Sequence, residues 1–386
     1  MNRLKHFLIL VLLFSLIGLL ACKKTSTTTD QPATSPPAAS EAQPAAGGTT
    51  PAGETKYFKG SIGSTLGLQM KLVREGEKLT GSYSYQKVGT SIEIRGTIDK
   101  GGNVVIDEFD SAGTQTGTFK GLWNQDENGL IAIAGNWTKP NSDKKTAFSL
   151  HEEPIEFSGG VEIVARQIKE NNKKLKYEID VQYPQLTGSG SPNYEKFNQT
   201  IRGLVNKRVG AFKAEMAPSP DDPPPTELES LGSDLSVGYT IALARDDLIS
   251  ILLDVGSYSA GAAHPNSYSE TVNFDLRNGK LLKLADLFQP GSKYLQTIAA
   301  YSITDLKKQG KQKGEESMLD DDWVERGAGP DAKNYSSWTI GKKGLAITFD
   351  SYQVAAYAAG PQHVLVPYSA LKDLIKVDGP IAQFVK

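Results

Sequence analysis

The sequence has almost no cysteine: Cys22 is the only one among 386 residues. A disulfide within the chain is therefore excluded, and so is a zinc site built on several cysteines. An excess of one charge is also missing, because 42 basic and 44 acidic side chains give a formal net charge of −2. Without a basic excess or a run of aromatic residues among lysines and arginines, the sequence predicts no nucleic-acid partner.

Long hydrophobic runs are missing too, apart from one near the start, between Phe7 and Ala21. At ~1.5 Å per residue this run reaches about 22 Å, short of the ~30 Å hydrocarbon core of a bilayer. Arg3 and Lys5 precede it. A positive region followed by a short apolar run is the pattern of a secretory signal. We therefore predict a signal peptide over residues 1–21 rather than a membrane-spanning helix.

The residues after this run, Leu19-Leu20-Ala21-Cys22, resemble the lipobox of bacterial lipoproteins. The lipobox has an aliphatic residue three positions before the cysteine and a small residue directly before it; Leu20 is larger than the usual occupant. The resemblance implies cleavage before Cys22 and the addition of several acyl chains, which together anchor a protein stably to a membrane. Lys23 follows, not the aspartate associated with inner-membrane retention, so the outer membrane or cell surface is the expected location.

Composition divides the rest of the chain into three regions. Residues 22–56 are mainly Thr, Ser, Pro, Ala and Gly, which predicts a disordered tether. Residues 57–152 alternate apolar and polar side chains between Gly- and Asn-containing turns, as in Leu66/Leu68/Met70/Leu72. This region is predicted to form seven or eight antiparallel strands in a meander or a small barrel.

Residues 155–386 mix both periodicities and are predicted to be α+β, with an antiparallel sheet and helices packed on one face. A helix is expected from Ser191-Pro192-Asn193 to just before Pro218, because its apolar residues repeat at helical spacing. A hairpin is expected across Asp246-Asp247. The whole chain is thus expected to be α+β, beginning with an all-β domain.

Catalytic and metal-binding patterns are scarce. The histidines other than His6 are His151, His264 and His363, which are too scattered to predict a metal site, and no cofactor is implied. His264 with Asp275 and a serine such as Ser257 would make a triad, but no G-x-S-x-G motif exposes a nucleophile. His264 is therefore expected to hydrogen-bond the backbone of its Gly-rich loop. The acidic clusters, Asp107-Glu108 with Asp110 and Asp320–Asp322 with Glu315 and Glu316, are expected to be solvated loops.

Aromatic side chains are the main candidates for ligand binding. Those on the predicted barrel strands form either its core or an open mouth that stacks on a sugar or peptide. Those of the second region, Tyr268 among them, lie beside Gly-rich turns and either shape the fold or line a groove. The candidate ligand-binding residues are Tyr83, Tyr85, Trp123, Trp137, Tyr258, His264, Tyr352 and Tyr357.

Several motifs in order between residues 160 and 378 resemble a known extracytoplasmic domain of unknown function. It is shared by RsiV-type lysozyme-sensing anti-sigma factors and PdaC-type peptidoglycan deacetylases. In the deacetylases this domain precedes the catalytic part. The motifs that carry the resemblance are Tyr183–Leu186, Tyr258–Pro265, Asn273–Leu276, Gly279-Lys280, Asp286–Phe288, Phe349–Val354, Tyr357–Pro361 and Val366–Tyr368.

The departures from this family bear on function. An anti-sigma factor needs a spanning helix and a cytoplasmic segment, whereas here a lipobox and a tether are found. A deacetylase needs paired aspartates, whereas Ser351 follows Asp350, and His363 has no second histidine four residues on. We therefore expect a non-enzymatic envelope lipoprotein that binds or senses a peptidoglycan fragment or a lysozyme-like protein. The alternatives are a glycan-acting enzyme with an unrecognised carboxylate pair and a purely structural envelope protein.

Overall fold

The computed structural model describes most of the chain after residue 52. The described ranges are 53–85, 91–125, 129–188, 190–217, 232–314 and 318–385. The predicted signal peptide, Cys22, most of the tether, Glu315 and Glu316 all lie outside the described residues. Within the described ranges, no helix is both long and apolar enough to cross a bilayer.

The first part of the described chain is a closed antiparallel barrel, which confirms the predicted meander. Its first strand begins at Glu54, slightly before the predicted domain boundary at residue 57, and pairs with the last strand to close the barrel. The strands are β1 (Glu54–Ile62), β2 (Leu66–Glu75), β3 (Lys78–Tyr85), β4 (Ser91–Ile98), β5 (Asn103–Phe109), β6 (Gln115–Gln125), β7 (Ile131–Thr138) and β8 (Lys145–Glu153).

Successive side chains along each strand point alternately into and out of the barrel, and the inward set fills its interior. Phe58, Leu68 and Phe119 point inward and are fully buried. Burying a side chain of this size contributes roughly 1.5–3 kcal/mol. Gly81 also occupies an inward position, where a Cβ would lie 1.9 Å from the Lys71 carbonyl oxygen, so only glycine fits there. The interior is therefore a packed core.

The second part is α+β, as predicted, and the predicted helix after Ser191 and hairpin across Asp246-Asp247 are both confirmed. Its elements are β9 (Ile155–Glu156), β10 (Glu162–Asn172), β11 (Tyr177–Thr187), α1 (Pro192–Glu215), β12 (Ser233–Arg245), β13 (Leu248–Tyr258), β14 (Asn266–Asp275), β15 (Lys280–Leu281), α2 (Tyr294–Lys313), α3 (Asp321–Gly327), β16 (Trp338–Ile340), β17 (Gly344–Phe349), β18 (Gln362–Pro367) and α4 (Tyr368–Leu371).

A seven-stranded sheet in the order β10-β11-β12-β13-β14-β15, with β9 beside β12, forms the centre of this part of the described chain. Helix α1 packs Phe197, Ile201 and Val205 on one face of the sheet. Asn198 fixes the helix on the sheet, because its amide side chain exchanges two hydrogen bonds with the Leu186 backbone at 2.8 and 2.9 Å. Helix α1 therefore covers part of one face of the sheet.

Two features refine the predicted antiparallel sheet. Strands β11 and β12 pair in parallel, because α1 connects them as a crossover that returns the chain to the same end of the sheet. Strands β16, β17 and β18 form a separate three-stranded sheet. The apolar face of this small sheet packs with α2 and α4 in a second core, which includes Ile298, Ile347 and Leu371.

The barrel contacts the large sheet through a small group of polar side chains. Lys59 donates to the Tyr239 carbonyl oxygen, and its Nζ lies 4.2 Å from the Tyr239 ring centroid. Gln69 donates to the Tyr239 hydroxyl at 2.9 Å. Burial lowers the pKa of Lys59, although Glu153 and Asp254 oppose the shift. Burial also raises the pKa of Glu153, which Lys59 only partly offsets.

Candidate functional site

The second face of the large sheet is covered by β16 near one end and is open near the other. Near one end, the Ile340 amide donates to Ser250 Oγ at 2.8 Å and Asn273 Nδ2 donates to the Trp338 carbonyl at 2.8 Å, so β16 seals that end. The other end is open and forms the floor of a cleft of about 340 Å³. Its floor consists of small and polar side chains on one face of three neighbouring strands: Ser236, Gly238, Asp254, Gly256, Ser267 and Ser269.

Two carboxylates line this cleft. Asp350, just after β17, accepts from the Ser269 amide with both oxygens, at 3.0 and 3.1 Å. Asp254 lies opposite Gly238 and Ser269 in the strand register. Partial burial raises the pKa of Asp254; Lys59 and His363 oppose this shift, whereas Asp350 adds to it. The cleft therefore offers acceptors for the hydroxyl and amide groups of a polar ligand.

Three of the predicted candidates, His264, Tyr352 and Tyr357, meet beside this cleft. The His264 and Tyr357 rings stack with centroids 4.0 Å apart and planes at 26°. The Tyr352 hydroxyl lies 3.3 Å from His264 Nε2, and the Tyr352 and Tyr357 centroids are 5.6 Å apart. Tyr352 is 55% exposed. We call these three residues the aromatic platform.

Hydrogen bonds to the backbone hold the platform in place. His264 Nδ1 lies 2.8 Å from the Pro265 carbonyl oxygen, which also accepts from the Tyr357 hydroxyl at 2.7 Å. The predicted bond between His264 and its own loop is thus confirmed. Because a carbonyl can only accept, Nδ1 carries the proton, and Nε2 is left to accept from Tyr352.

Tyr352 has an unusual backbone conformation, with φ at 71°. This left-handed region is uncommon for any residue with a side chain and marks positions that the surrounding structure holds in place. Two hydrogen bonds hold this turn: Trp323 Nε1 donates to the Tyr352 carbonyl at 3.1 Å, and the Gln353 backbone amide donates to the Asp350 carbonyl at 3.0 Å. The fold therefore maintains a strained turn that exposes an aromatic ring.

Tyr258 and Tyr268 are not part of the platform. Tyr258 ends β13 opposite Asp234 and is half-buried. Tyr268 is half-buried and packs against the core on the α1 face of the sheet, opposite the cleft floor, with the Arg208 guanidinium 5.4 Å from its ring centroid.

The aromatic candidates of the barrel have a different environment. Tyr83 is 2% exposed and donates to Glu108 at 2.5 Å, and Trp137 Nε1 donates to the same carboxylate at 3.2 Å. Thr116 donates to its other oxygen at 3.0 Å, and the Tyr83 hydroxyl lies 3.2 Å from that of Tyr85. Burial, followed by the Glu108 hydrogen bond, raises the pKa of Tyr83. These residues form an internal polar network.

The prediction that Glu108 lies in a solvated acidic loop is wrong, since it is only 3% exposed. Strand β5 includes it and turns its side chain inward with Val104 and Ile106. Trp123 also faces the barrel interior, with its ring centroid 5.6 Å from that of Phe58 in an edge-on contact. The Arg74 guanidinium lies 5.7 Å from the Trp123 ring centroid.

The structure does not assemble the triad considered in the sequence. Asp275 accepts from the amide and the side chain of Asn278, at 2.9 and 2.8 Å, and so stabilises the turn after β14. Asp320 caps α3 by accepting from the Trp323 amide at 2.9 Å. Among the described residues, no group of three or more His, Cys, Asp or Glu side chains is arranged to hold a metal ion.

Sequence reasoning missed the floor of the cleft. Ser236, Gly238 and Asp254 belong to no motif for catalysis or metal binding. One pattern in the sequence could have indicated the floor. In β12 and β13, polar or small residues occupy every second position on one face of the strand, and apolar residues occupy the other face. That pattern predicts one open face, but it does not show which strands lie side by side.

The chain is similar to several known proteins, and one family model matches within the α+β part. Residues 285–369 match the family model described as "Protein of unknown function (DUF3298)". Over 247 residues the chain is 26% identical to the peptidoglycan-N-acetylmuramic acid deacetylase PdaC of Bacillus subtilis, covering 64% of this chain and 48% of the relative. The chain thus spans about half the length of this curated relative. The resemblance predicted from the sequence motifs is confirmed: the chain carries a DUF3298 domain near its C-terminal end.

Two solved structures of DUF3298 proteins are also similar. One, from Bacteroides fragilis, is 18% identical with a TM-score of 0.43, and the match covers 59% of this chain and 98% of that chain. The other, from Pseudomonas aeruginosa, is 16% identical with a TM-score of 0.39, and the match covers 56% of this chain and 94% of that chain.

Proposed function

We propose that this protein is a non-enzymatic cell-envelope module that binds the glycan of peptidoglycan. The glycan lies in the open cleft of the large sheet and stacks on the aromatic platform. Lipid on Cys22 holds the module to the membrane, at the outer membrane or the cell surface.

The observation that carries the proposal is the exposed platform beside a polar cleft. Sugar rings present an apolar face that packs on an aromatic side chain and hydroxyl groups that bond to polar side chains. Tyr352 supplies an exposed ring, and Asp254 and Asp350 supply acceptors. The floor of Ser and Gly residues leaves room for a ring to lie flat.

The relatives support the choice of ligand. The deacetylase that resembles this chain is named for N-acetylmuramic acid in peptidoglycan. We infer that the part of this chain shared with the relative binds the same polymer. The family resemblance also suggests lysozyme as a protein ligand, and we treat it as the rival in the test.

Co-sedimentation of the detergent-solubilised full chain with insoluble peptidoglycan tests the proposal. We expect the wild-type protein in the pellet and Tyr352→Ala mostly in the supernatant. Met318→Ala is the matched control, because Met318 is 52% exposed and belongs to neither the cleft nor the platform. An equal distribution of wild-type and Tyr352→Ala protein, or retention on immobilised lysozyme alone, would refute glycan binding at the platform.

The anchor has its own test. Cys22→Ser in the expressing bacterium should release the protein from the membrane fraction and prevent metabolic labelling with palmitate. Membrane association and labelling that persist in this variant would refute lipid attachment at Cys22.

A second candidate function rests on the two carboxylates of the cleft. Glycoside hydrolases use one protonated and one ionised carboxyl group beside the scissile bond. In the cleft, partial burial and, to a smaller extent, the charge of Asp350 raise the pKa of Asp254. Release of soluble fragments from peptidoglycan by the wild-type chain, lost in Asp254→Asn, would favour this enzyme over the binding module.

A further inference from the structure

The open cleft of the large sheet carries charge of one sign. Among the described residues that line it, Asp254 and Asp350 have the only charged side chains. Lys59 and His363 attract the Asp254 carboxylate from a distance, but neither of them lines the cleft. A ligand in this cleft therefore meets an acidic surface without a basic side chain beside it.

The two carboxylates lie close together, on either side of Ser269. Asp350 accepts from the Ser269 amide with both oxygens, at 3.0 and 3.1 Å. Asp254 lies directly opposite Ser269 in the register of β13 and β14, where Cα atoms are roughly 4.5–5.5 Å apart. Repulsion from Asp350 adds to partial burial in raising the pKa of Asp254. A cation bound beside both carboxylates would remove this repulsion.

The Asp254 carboxylate is available to a ligand. Within the described part of the chain, no donor forms a hydrogen bond with it and no basic side chain forms an ion pair with it. A ligand that covers an ionised carboxylate has to supply a partner, because burying an unpaired charge is costly. A sugar hydroxyl supplies one neutral donor, whereas a protonated amine supplies three donors and a positive charge. A cationic ligand is therefore the better match.

The aromatic platform suits the same kind of ligand. The chain segment that carries Asp350 continues through Tyr352 and Tyr357 of the platform and returns to the cleft at Pro361. The faces of tyrosine rings attract cations that lie within about 6 Å of the ring centroid. Carboxylates and exposed aromatic rings on one segment thus favour a flat ligand ring with a positive charge at its edge.

We propose that the cleft selects an amino sugar with a free, protonated amine, whose ammonium group binds beside Asp254 and Asp350 while its ring stacks on the aromatic platform. The inference rests on the proposed function and specifies its ligand. In peptidoglycan this chemistry occurs at glucosamine residues that lack the N-acetyl group. A lysine side chain in the peptide part carries the same ammonium group, and the test separates the two sources.

Isothermal titration of the full chain with a short glucosamine oligomer and with its fully N-acetylated counterpart tests the inference. At about pH 6 the free amines are protonated. We expect the glucosamine oligomer to bind about tenfold more tightly than the acetylated one. Asp254→Asn keeps the shape of the side chain but removes its charge, so most of this preference should be lost. Asp143→Asn removes the same charge from the exposed connection between β7 and β8 and, as the matched control, should keep the preference.

The outcomes separate this inference from the proposed function. Equal affinity for the two oligomers, or a preference as large in Asp254→Asn as in the wild type, overturns the ammonium subsite and leaves glycan binding in place. A lysine-containing peptide that binds as tightly as the glucosamine oligomer would assign the ammonium to a peptide and overturn the sugar assignment. Failure of both oligomers to bind, or binding that Tyr352→Ala does not weaken, overturns the proposed function itself.

Discussion

The barrel and the α+β part each contain a cluster of aromatic side chains. The two clusters differ in the hydrogen-bond partners of their polar groups and in the exposure of their rings. In the barrel, Tyr83 and Trp137 direct their donors to the buried carboxylate of Glu108. In the platform, His264 and Tyr357 bond to one carbonyl, and the Tyr352 ring remains 55% exposed. The polar groups of the first cluster are already occupied, whereas the second presents a ring to solvent.

This difference indicates that an aromatic cluster is a candidate binding surface only where its side chains are not needed to fill a hydrophobic core. The barrel cluster stabilises the fold, because loss of any member leaves a buried polar atom without a partner. The platform contributes little buried area but is held by the strained turn at Tyr352. Substitutions in the two clusters should therefore separate effects on stability from effects on binding.

The largest effect is expected in the barrel network. Glu108→Ala removes the acceptor shared by Tyr83, Trp137 and Thr116 and leaves these donors inside the barrel. We expect the free energy of unfolding to fall by about 3 kcal/mol in urea denaturation. Glu93→Ala on the barrel surface, where Glu93 only pairs with Arg95, is the control and should cause no measurable change. A similar small loss for both variants would show that the network is not structural.

The next largest effect is expected where the barrel meets the sheet. Lys59→Met removes the cation near Glu153 and the hydrogen bond to Tyr239. We expect a loss of about 2 kcal/mol, less than for a fully buried ion pair because Lys59 is only partly buried. The double variant with Glu153→Gln should recover part of this loss, because no uncompensated carboxylate then remains. A change in the free energy of unfolding of the double variant that equals the sum of the two single-variant changes would contradict the coupling.

A smaller effect concerns pH at the same contact. Burial raises the pKa of Glu153, so its neutral form is favoured in the folded state. Its contribution to stability is present below the ordinary glutamate pKa and is lost as pH rises through the raised value. Glu153→Gln should therefore gain stability relative to wild type between pH 4 and pH 7, measured by urea unfolding. A difference in the free energy of unfolding between the two proteins that stays constant across this pH range would contradict a raised pKa of Glu153.

The smallest effect on stability is expected at the platform. Tyr352→Gly removes the exposed ring but suits the positive φ, so the free energy of unfolding should change by no more than about 0.5 kcal/mol. Binding to peptidoglycan should nevertheless be lost in the co-sedimentation assay. A large loss of stability in this variant would place Tyr352 among the structural residues and remove the contrast between the two clusters.

Local patterns in the sequence predicted much of the fold. Alternation specified the barrel strands, and Ser191-Pro192 marked the start of α1. The parallel pairing of β11 with β12 was not predictable, because pairing between distant strands depends on the crossover through α1. The burial of Glu108 was missed because a carboxylate next to Asp107 resembles a solvated loop until the strand register turns it inward.

For the site, the sequence supplied the residues but not their arrangement. His264, Tyr352 and Tyr357 were each marked by nearby Gly-rich turns. Their stacking joins segments far apart in the chain and requires the folded structure. The cleft floor around Asp254 carries no sequence motif. Its small side chains leave room for a ligand, but they are not residue types that mark a catalytic or metal site in a sequence.

Hydrogen–deuterium exchange of the full chain, with and without soluble peptidoglycan fragments, tests the central claim most directly. If the aromatic platform and its cleft bind the glycan, backbone amides in residues 264–269 and 350–361 should become protected. Residues 83–85 and 131–138 of the barrel should exchange as before. Protection confined to the barrel segments, or absent from both regions at saturating ligand, would contradict the account.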